Sequence, residues 1–220
     1  MSEINLMARY PKSNRKEDLS QRINEKTETD RKIARMFEKD FFDGNRRYGY
    51  GGYSYDPKYF VGVVEDMKNY YRLTSESKVL DIGCAKGFML VDFKKIIPGI
   101  TIRGLDISNY AIENAMPEIK AYVSVGNAKD LSEFKNKEYD LITSITTIHN
   151  LNLEDCKHSL REIERIGKNS FITVDAWKNE KEKERMYAWN LTALTYMHVD
   201  DWKKLFKEVG YNGDYYWFTP

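Results

Sequence analysis

Ten residues, Val79-Leu80-Asp81-Ile82-Gly83-Cys84-Ala85-Lys86-Gly87-Phe88, constrain this chain more than any others. A short apolar run over 78–82 stops at a glycine, and apolar residues resume at helical spacing over 88–97. That is a strand, a tight turn and a helix start, the opening of a βα unit. Further strand-like runs follow over 101–105, 121–125, 140–145, 171–175 and 215–219. Between them lie a short helical segment at 110–115 and a longer one carrying Leu153, Cys156, Leu160, Ile163 and Ile166 on one face. Strands alternating with helices imply a Rossmann-like, doubly wound α/β fold: a mostly parallel sheet of six or seven strands covered on both faces. Ligands of such sheets bind outside the carboxyl ends of the strands, so the residues at those ends are the candidates for function.

The flanks carry their own signals. Residues 1–28 are polar and charged and read as a loosely attached arm. Ile33, Met36, Phe37 and Phe41 predict one amphipathic helix, ended by Asp43-Gly44. From Tyr48 to Tyr55, four tyrosines interleave with three glycines behind Arg46 and Arg47. Amphipathic rings on a glycine-rich loop suit a lid over a ligand, or a loop packed on the domain by its tyrosines. Asp56-Pro57 predicts a helix N-cap, with Phe60, Val63, Val64, Met67 and Tyr71 as the apolar face. The organisation expected is thus arm, helix and lid over 1–56, then the α/β domain over 57–220. In the tail, Met186, Trp189, Asn190, Ala193, Leu194 and Met197 predict one helix. Trp202, Leu205, Phe206 and Val209 predict a second, closed by Gly210.

Composition removes several function classes. With 35 Lys and Arg against 34 Asp and Glu, the chain has no global field to draw nucleic acid or an anionic membrane. No run approaches the roughly 20 apolar residues of a membrane helix, and no signal peptide opens the chain, so a cytoplasmic protein is expected. Cys84 and Cys156 are the only cysteines and form no cluster with histidine, so no metal site is expected.

Two nucleotide motifs fit the glycine turn poorly. A dinucleotide fingerprint needs glycine where Ala85 and Phe88 stand, and no Gly-Lys-Ser/Thr follows for a P-loop. The spacing of Asp81, Gly83 and Gly87 instead resembles motif I of class I S-adenosylmethionine-dependent methyltransferases. Ala85 departs at the middle glycine and predicts a slightly tighter loop. The resemblance runs over about 75–175 and implies S-adenosylmethionine as cofactor and S-adenosylhomocysteine as product. It implies that Asp106, ending the second strand, accepts from the ribose hydroxyls, and that Ile107 lies on the adenine. Asn127, beside Ala128, would accept from the adenine amino group, and Ser144 would face the methionine part. Tyr50 would close over it from the lid.

The reacting end falls after the fourth and fifth strands. His149 is either a general base or a brace for its loop, and Asp175 is a second base, a helix cap or an anchor for His149. Arg46 and Arg47 suit a phosphate or carboxylate of the acceptor, with Tyr48, Tyr53 and Trp177 lining its side. The run Arg47-Tyr48-Gly49-Tyr50-Gly51-Gly52-Tyr53 is also similar to a subgroup of small bacterial class I methyltransferases associated with surface-polysaccharide modification. That likeness implies O-methylation of a sugar or sugar-linked group, with a nucleotide sugar or phosphorylated sugar as acceptor. The rival readings are N- or O-methylation of another metabolite or natural product, and a nonenzymatic cofactor-binding protein.

Overall fold

A computed structural model describes residues 1–11 and 26–219. Its seven strands are β1 (Lys78–Ile82), β2 (Thr101–Asp106), β3 (Val123–Val125), β4 (Leu141–Ile145), β5 (Ser170–Trp177), β6 (Met197–His198) and β7 (Asp214–Phe218). They form one sheet in the order β3-β2-β1-β4-β5-β6, with β7 also paired to β5, and every pairing between them is parallel. The helices are α1 (Glu28–Ala34), α2 (Lys39–Phe42), α3 (Val61–Tyr71), α4 (Phe88–Ile96), α5 (Asn109–Glu113), α6 (Leu153–Ile166), α7 (Glu180–Trp189) and α8 (Val199–Val209).

Consecutive strand residues serve opposite faces, as the two-residue period of a strand requires. Val79, Leu141 and Phe171 join Val63, Met67 and Phe93 of α3 and α4 in one core. Their neighbours Leu80, Ile142 and Ile172 join Leu160 and Ile163 of α6 and Trp202 and Phe206 of α8 in the other. Both faces of the sheet are therefore sealed. The carboxyl ends of the strands are left as the place where loops can build a site.

Four expectations need correction. The helix expected from Thr29 to Asp43 is two helices, because Phe37 adopts φ +52° and turns the chain between them. The capping box of Thr27 and Asp30 starts the first. The helix expected at Pro57 begins at Val61; Asp56 instead closes a turn, its carbonyl accepting from the Tyr59 amide. The first tail helix stops at Trp189. Asn190 is buried and exchanges two side-chain hydrogen bonds with the Ala193 backbone, which replaces a helical turn with a loop. Ala193, Leu194 and Met197 thus leave the helix, and Met197 pairs with Ala176 in β6. Finally, the start of the chain is not a loose arm. Glu3 bridges Tyr215 in parallel, the Ile4 amide donates to the Tyr215 carbonyl at 3.0 Å, and Leu6 is buried. The open edge of β7 offers unpaired backbone groups, and residues 2–4 take them up. Residues 12–25 of the expected arm lie outside the described residues.

Candidate functional site

The turn after β1 is held by backbone geometry. Gly83 has φ +83°, and a Cβ there would lie 2.0 Å from the Thr147 hydroxyl oxygen, so the position excludes a side chain. Its amide and that of Cys84 donate to the Leu105 carbonyl at 2.7 and 3.0 Å. Ala85 is itself left-handed, at φ +50°, a conformation costing a non-glycine residue roughly 1–2 kcal/mol. Its amide is held by Asp106 Oδ2 at 2.7 Å, while Oδ1 accepts from the Ser108 amide at 2.9 Å. Asp106 thereby ties the end of β2 to the glycine turn and still lines the cavity above it. Asp81 is buried at the same wall and accepts from Thr143 Oγ1 at 2.8 Å. Burial pushes its carboxyl up to about 7, with the Asp106 charge adding to the rise. Among the described residues neither carboxylate has a salt-bridge partner.

The roof comes from the N-terminal helices and the glycine-tyrosine loop. Asp43 is its hub. One oxygen accepts from the Tyr53 amide at 2.8 Å, and the other from Lys86 Nζ at 2.5 Å and the Tyr110 hydroxyl at 2.7 Å. Burial alone would raise the Asp43 pKa, but these donors outweigh it and hold the carboxyl below its ordinary value. Lys86 belongs to the glycine turn, so the roof and the turn share one ion pair. The Tyr53 ring stacks on Phe88 at 4.7 Å and meets Tyr50 at 4.4 Å. Tyr50 is 42% exposed, yet it lines the cavity. Further along, the Tyr55 hydroxyl donates to the buried Asp92 at 2.5 Å. Lys26 and Arg35 donate to carbonyls of Trp189 and Thr192, joining the roof to the end of α7.

Beyond the carboxylate wall the cavity continues to β5 and β7. It measures about 1270 Å³, above the roughly 300–1,000 Å³ of a single small-ligand site. His149, in a 3-10 turn after β4, is buried. Its Nδ1 accepts from the Asp175 amide at 3.0 Å, and its carbonyl accepts from Leu194 and Thr195. Burial lowers the imidazole pKa against the opposing pull of Asp175, and burial raises that of Asp175. A neutral ring whose Nδ1 accepts from the backbone carries its proton on Nε2. In this state His149 presents a donor at Nε2. Thr146, just after β4 and on the lip of the cavity, has φ +52°, an outlier for a β-branched residue of the kind that gathers at functional sites.

The cavity brings together most of the residues singled out in the sequence. Asp81, Gly83, Ala85, Asp106, Ile107, Asn127, Ala128 and Tyr50 line one part, with Tyr53 and Arg46 above and His149 and Asp175 further on. Asn127 Oδ1 already accepts from the Lys129 amide at 3.1 Å, so only its second lone pair and its amide are open to a ligand.

Five expected residues do not line the cavity. Gly87 starts α4 with its Cα facing Ile119. Ser144 is sealed within β4, and Ile145, Thr146 and Thr147 form the lip instead. Arg47 forks onto the buried Asp30 at 3.0 and 2.8 Å, and Tyr48 packs on the Arg47 guanidinium. Trp177 packs with Tyr187 and Tyr196, while Trp189 lines the cavity in its place. Asn150, Thr173, Lys86 and the end of β7 were not singled out. Asn150 adjoins His149, and Thr173 shares β5 with Asp175, so proximity to strand ends was the available signal.

A sealed parallel sheet, a glycine turn after its central strand and a carboxylate ending the next strand are the arrangement in which doubly wound α/β folds bind nucleotides and nucleosides. The family model described as a methyltransferase domain matches residues 73–212. No protein of curated function matches the sequence. Similar solved structures include YcgJ from Bacillus subtilis, at 19% identity and TM-score 0.53 over 66% of each chain. Another is the Haloferax volcanii complex between the Trm112 methyltransferase activator and a methyltransferase, at 22% identity and TM-score 0.51 over 68% of this chain and 72% of that one. A third is a methyltransferase from an antibiotic biosynthesis pathway of Anabaena variabilis, at 21% identity and TM-score 0.51 over 68% of this chain and 61% of that one. At these identities the likeness is one of fold.

The chain belongs to the methyltransferase-domain family, whose methyl donor is S-adenosylmethionine. The wall fits that donor: two buried carboxylates with no cationic partner among the described residues face a cavity, and the donor carries an ammonium and a sulfonium. No helix of the described residues is long and apolar enough to cross a membrane.

Proposed function

We propose that this enzyme methylates a hydroxyl group of a neutral, sugar-like small molecule. The carrying observation is one continuous cavity with two differently built ends. Asp81, Asp106 and the glycine turn suit the sulfonium nucleoside at one end, with Ile107 and Asn127 for its base and Tyr50 and Tyr53 above. The donor supplies an activated methyl group. The protein's part is to hold the acceptor in line with it, and orientation of that kind lowers a barrier by roughly 7–11 kcal/mol. The other end combines Trp189, Trp217 and Phe218 with His149, Asn150 and Asp175. Aromatic faces with interspersed polar groups suit a sugar ring, in keeping with the likeness of residues 47–53 to polysaccharide-modifying methyltransferases.

Charge argues against a phosphorylated acceptor. Arg46 binds the Gly49 carbonyl, Lys58 pairs with Asp56, and Lys178 pairs with Glu3. Arg47 is held by Asp30. Asp175 is a buried carboxylate, and a phosphate beside it would meet like charge in a low-dielectric site. The test is a product screen. Incubation with S-adenosylmethionine and panels of neutral sugars, nucleotide sugars and sugar phosphates is read by mass spectrometry. Gain of one methyl by a neutral sugar is expected; methylation confined to amines, sugar phosphates or nucleotide sugars would sink the proposal.

A further inference from the structure

The acceptor end of the cavity contains a hydrogen-bond donor and a proton acceptor whose roles are set by the backbone. This rests on the methyl-transfer reading above. The Asp175 amide occupies His149 Nδ1 at 3.0 Å. A backbone amide has no other state, so Nδ1 remains an acceptor and the single proton of the neutral ring stays on Nε2. Nε2 makes no hydrogen bond among the described residues and is not among the sealed polar atoms. It is therefore free to donate to a ligand and has no lone pair with which to take a proton. The Asp175 carboxylate stands 3.6 Å from Nδ1, too far for a hydrogen bond. Its oxygens likewise have no hydrogen-bond partner among the described residues and are not sealed.

We propose that the Asp175 carboxylate takes the proton of the acceptor hydroxyl, while His149 Nε2–H holds a neighbouring oxygen of the same substrate. The oxygen–methyl bond forms as the sulfur–methyl bond breaks; sulfur keeps the bonding pair and becomes a thioether, and the hydroxyl proton passes to Asp175. A donor and an acceptor from two neighbouring side chains of one cavity select vicinal hydroxyls over an isolated alcohol. Burial supports the division: it keeps His149 neutral and makes Asp175 a stronger base than an exposed carboxylate. Among the described residues, each is the only titratable group acting appreciably on the other. Lys178 beside them pairs with Glu3, and His198 turns to Asp200 at the start of α8.

The test begins with nitrogen-15 NMR of the histidine rings in the unliganded protein between about pH 6 and 8. His149 is expected as the Nε2-protonated tautomer throughout, and a proton on Nδ1 overturns the inference. This readout needs no acceptor, so it is independent of the product screen that tests methyl transfer itself. With the acceptor from that screen, Asp175→Asn is expected to lose kcat by roughly 10²–10⁴-fold, together with the acid limb of the pH profile. His149→Gln, which keeps an amide donor near the Nε2 position, is expected to raise the acceptor KM while keeping that limb. Loss of the limb in His149→Gln with its retention in Asp175→Asn overturns the assignment. Titration of both variants with S-adenosylmethionine checks that each still folds and binds the donor.

Discussion

Asp81 is buried with a hydroxyl as its partner, and that environment makes its charge conditional. Burial raises its pKa to about 7, against about 3.9 in the unfolded chain. The folded state therefore holds a proton that the unfolded state has released. The stability this contributes is complete below about pH 4 and is lost as pH rises through about 7. Affinity for the cationic donor runs the other way, because binding needs the carboxylate. At pH 6, calorimetric titration with S-adenosylmethionine in buffers of different ionisation enthalpy is expected to show release of up to about one proton, and none in Asp81→Asn. Identical heats in every buffer for the wild type would contradict this. Arg47 gives a second residue-level case. It holds Asp30 down to about 2 through a forked hydrogen bond. Arg47→Met leaves that carboxylate buried without a cation, held only by the amide and hydroxyl of Thr27. The expected loss in urea denaturation is about 2 kcal/mol, below the roughly 3–5 of a fully buried pair because the arginine is half exposed. The Asp30 contribution is present above about pH 4 and lost as pH falls through about 2.

The loop over 48–55 acts as one element because Asp43 gathers it. Its carboxylate ties the Tyr53 amide to Lys86 and Tyr110, so the roof and the glycine turn close as a unit. Asp43→Ala is expected to speed hydrogen exchange at the Tyr53 amide and to weaken S-adenosylmethionine binding about tenfold or more. Unchanged exchange there would show that the aromatic packing suffices alone. None of this coupling was legible in the sequence, because it joins residues 43, 53, 86 and 110 through side chains on separate elements. What was legible was periodic. The strands β1, β2, β4 and β5 and the helices α4, α6 and α8 follow from apolar spacing that their burial obeys. The failures occurred where a side chain or one dihedral overrides spacing: Phe37 at φ +52°, Asn190 bonding Ala193, and Asp56 closing a turn. In the site, strand-end positions were readable, whereas orientation was not. Ser144 and Trp177 sit near strand ends and point elsewhere, and His149 lines the cavity after β4 while its tautomer depends on the amide of a residue 26 positions on.

Taken whole, the molecule is a sheet sealed on both faces with a cavity at the carboxyl ends of its strands, roofed by its own N-terminal region and pinned by residues 2–4 along β7. A ligand bound beneath that roof engages the folded state alone. S-adenosylmethionine at 100 times its Kd is therefore expected to add about 2.7 kcal/mol, or a rise in Tm of roughly 5–10 °C for a chain of this size. NAD, for which the Ala85 and Phe88 positions are unsuited, is expected to leave Tm unchanged. The most direct test is the crystal structure of the complex with S-adenosylhomocysteine. The expected density places the ribose within hydrogen-bond reach of Asp106, the amino group toward Asp81 and the thioether sulfur facing His149 and Asp175. A nucleoside bound outside this cavity, or one whose sulfur points away from that pair, would contradict the assignment of the site.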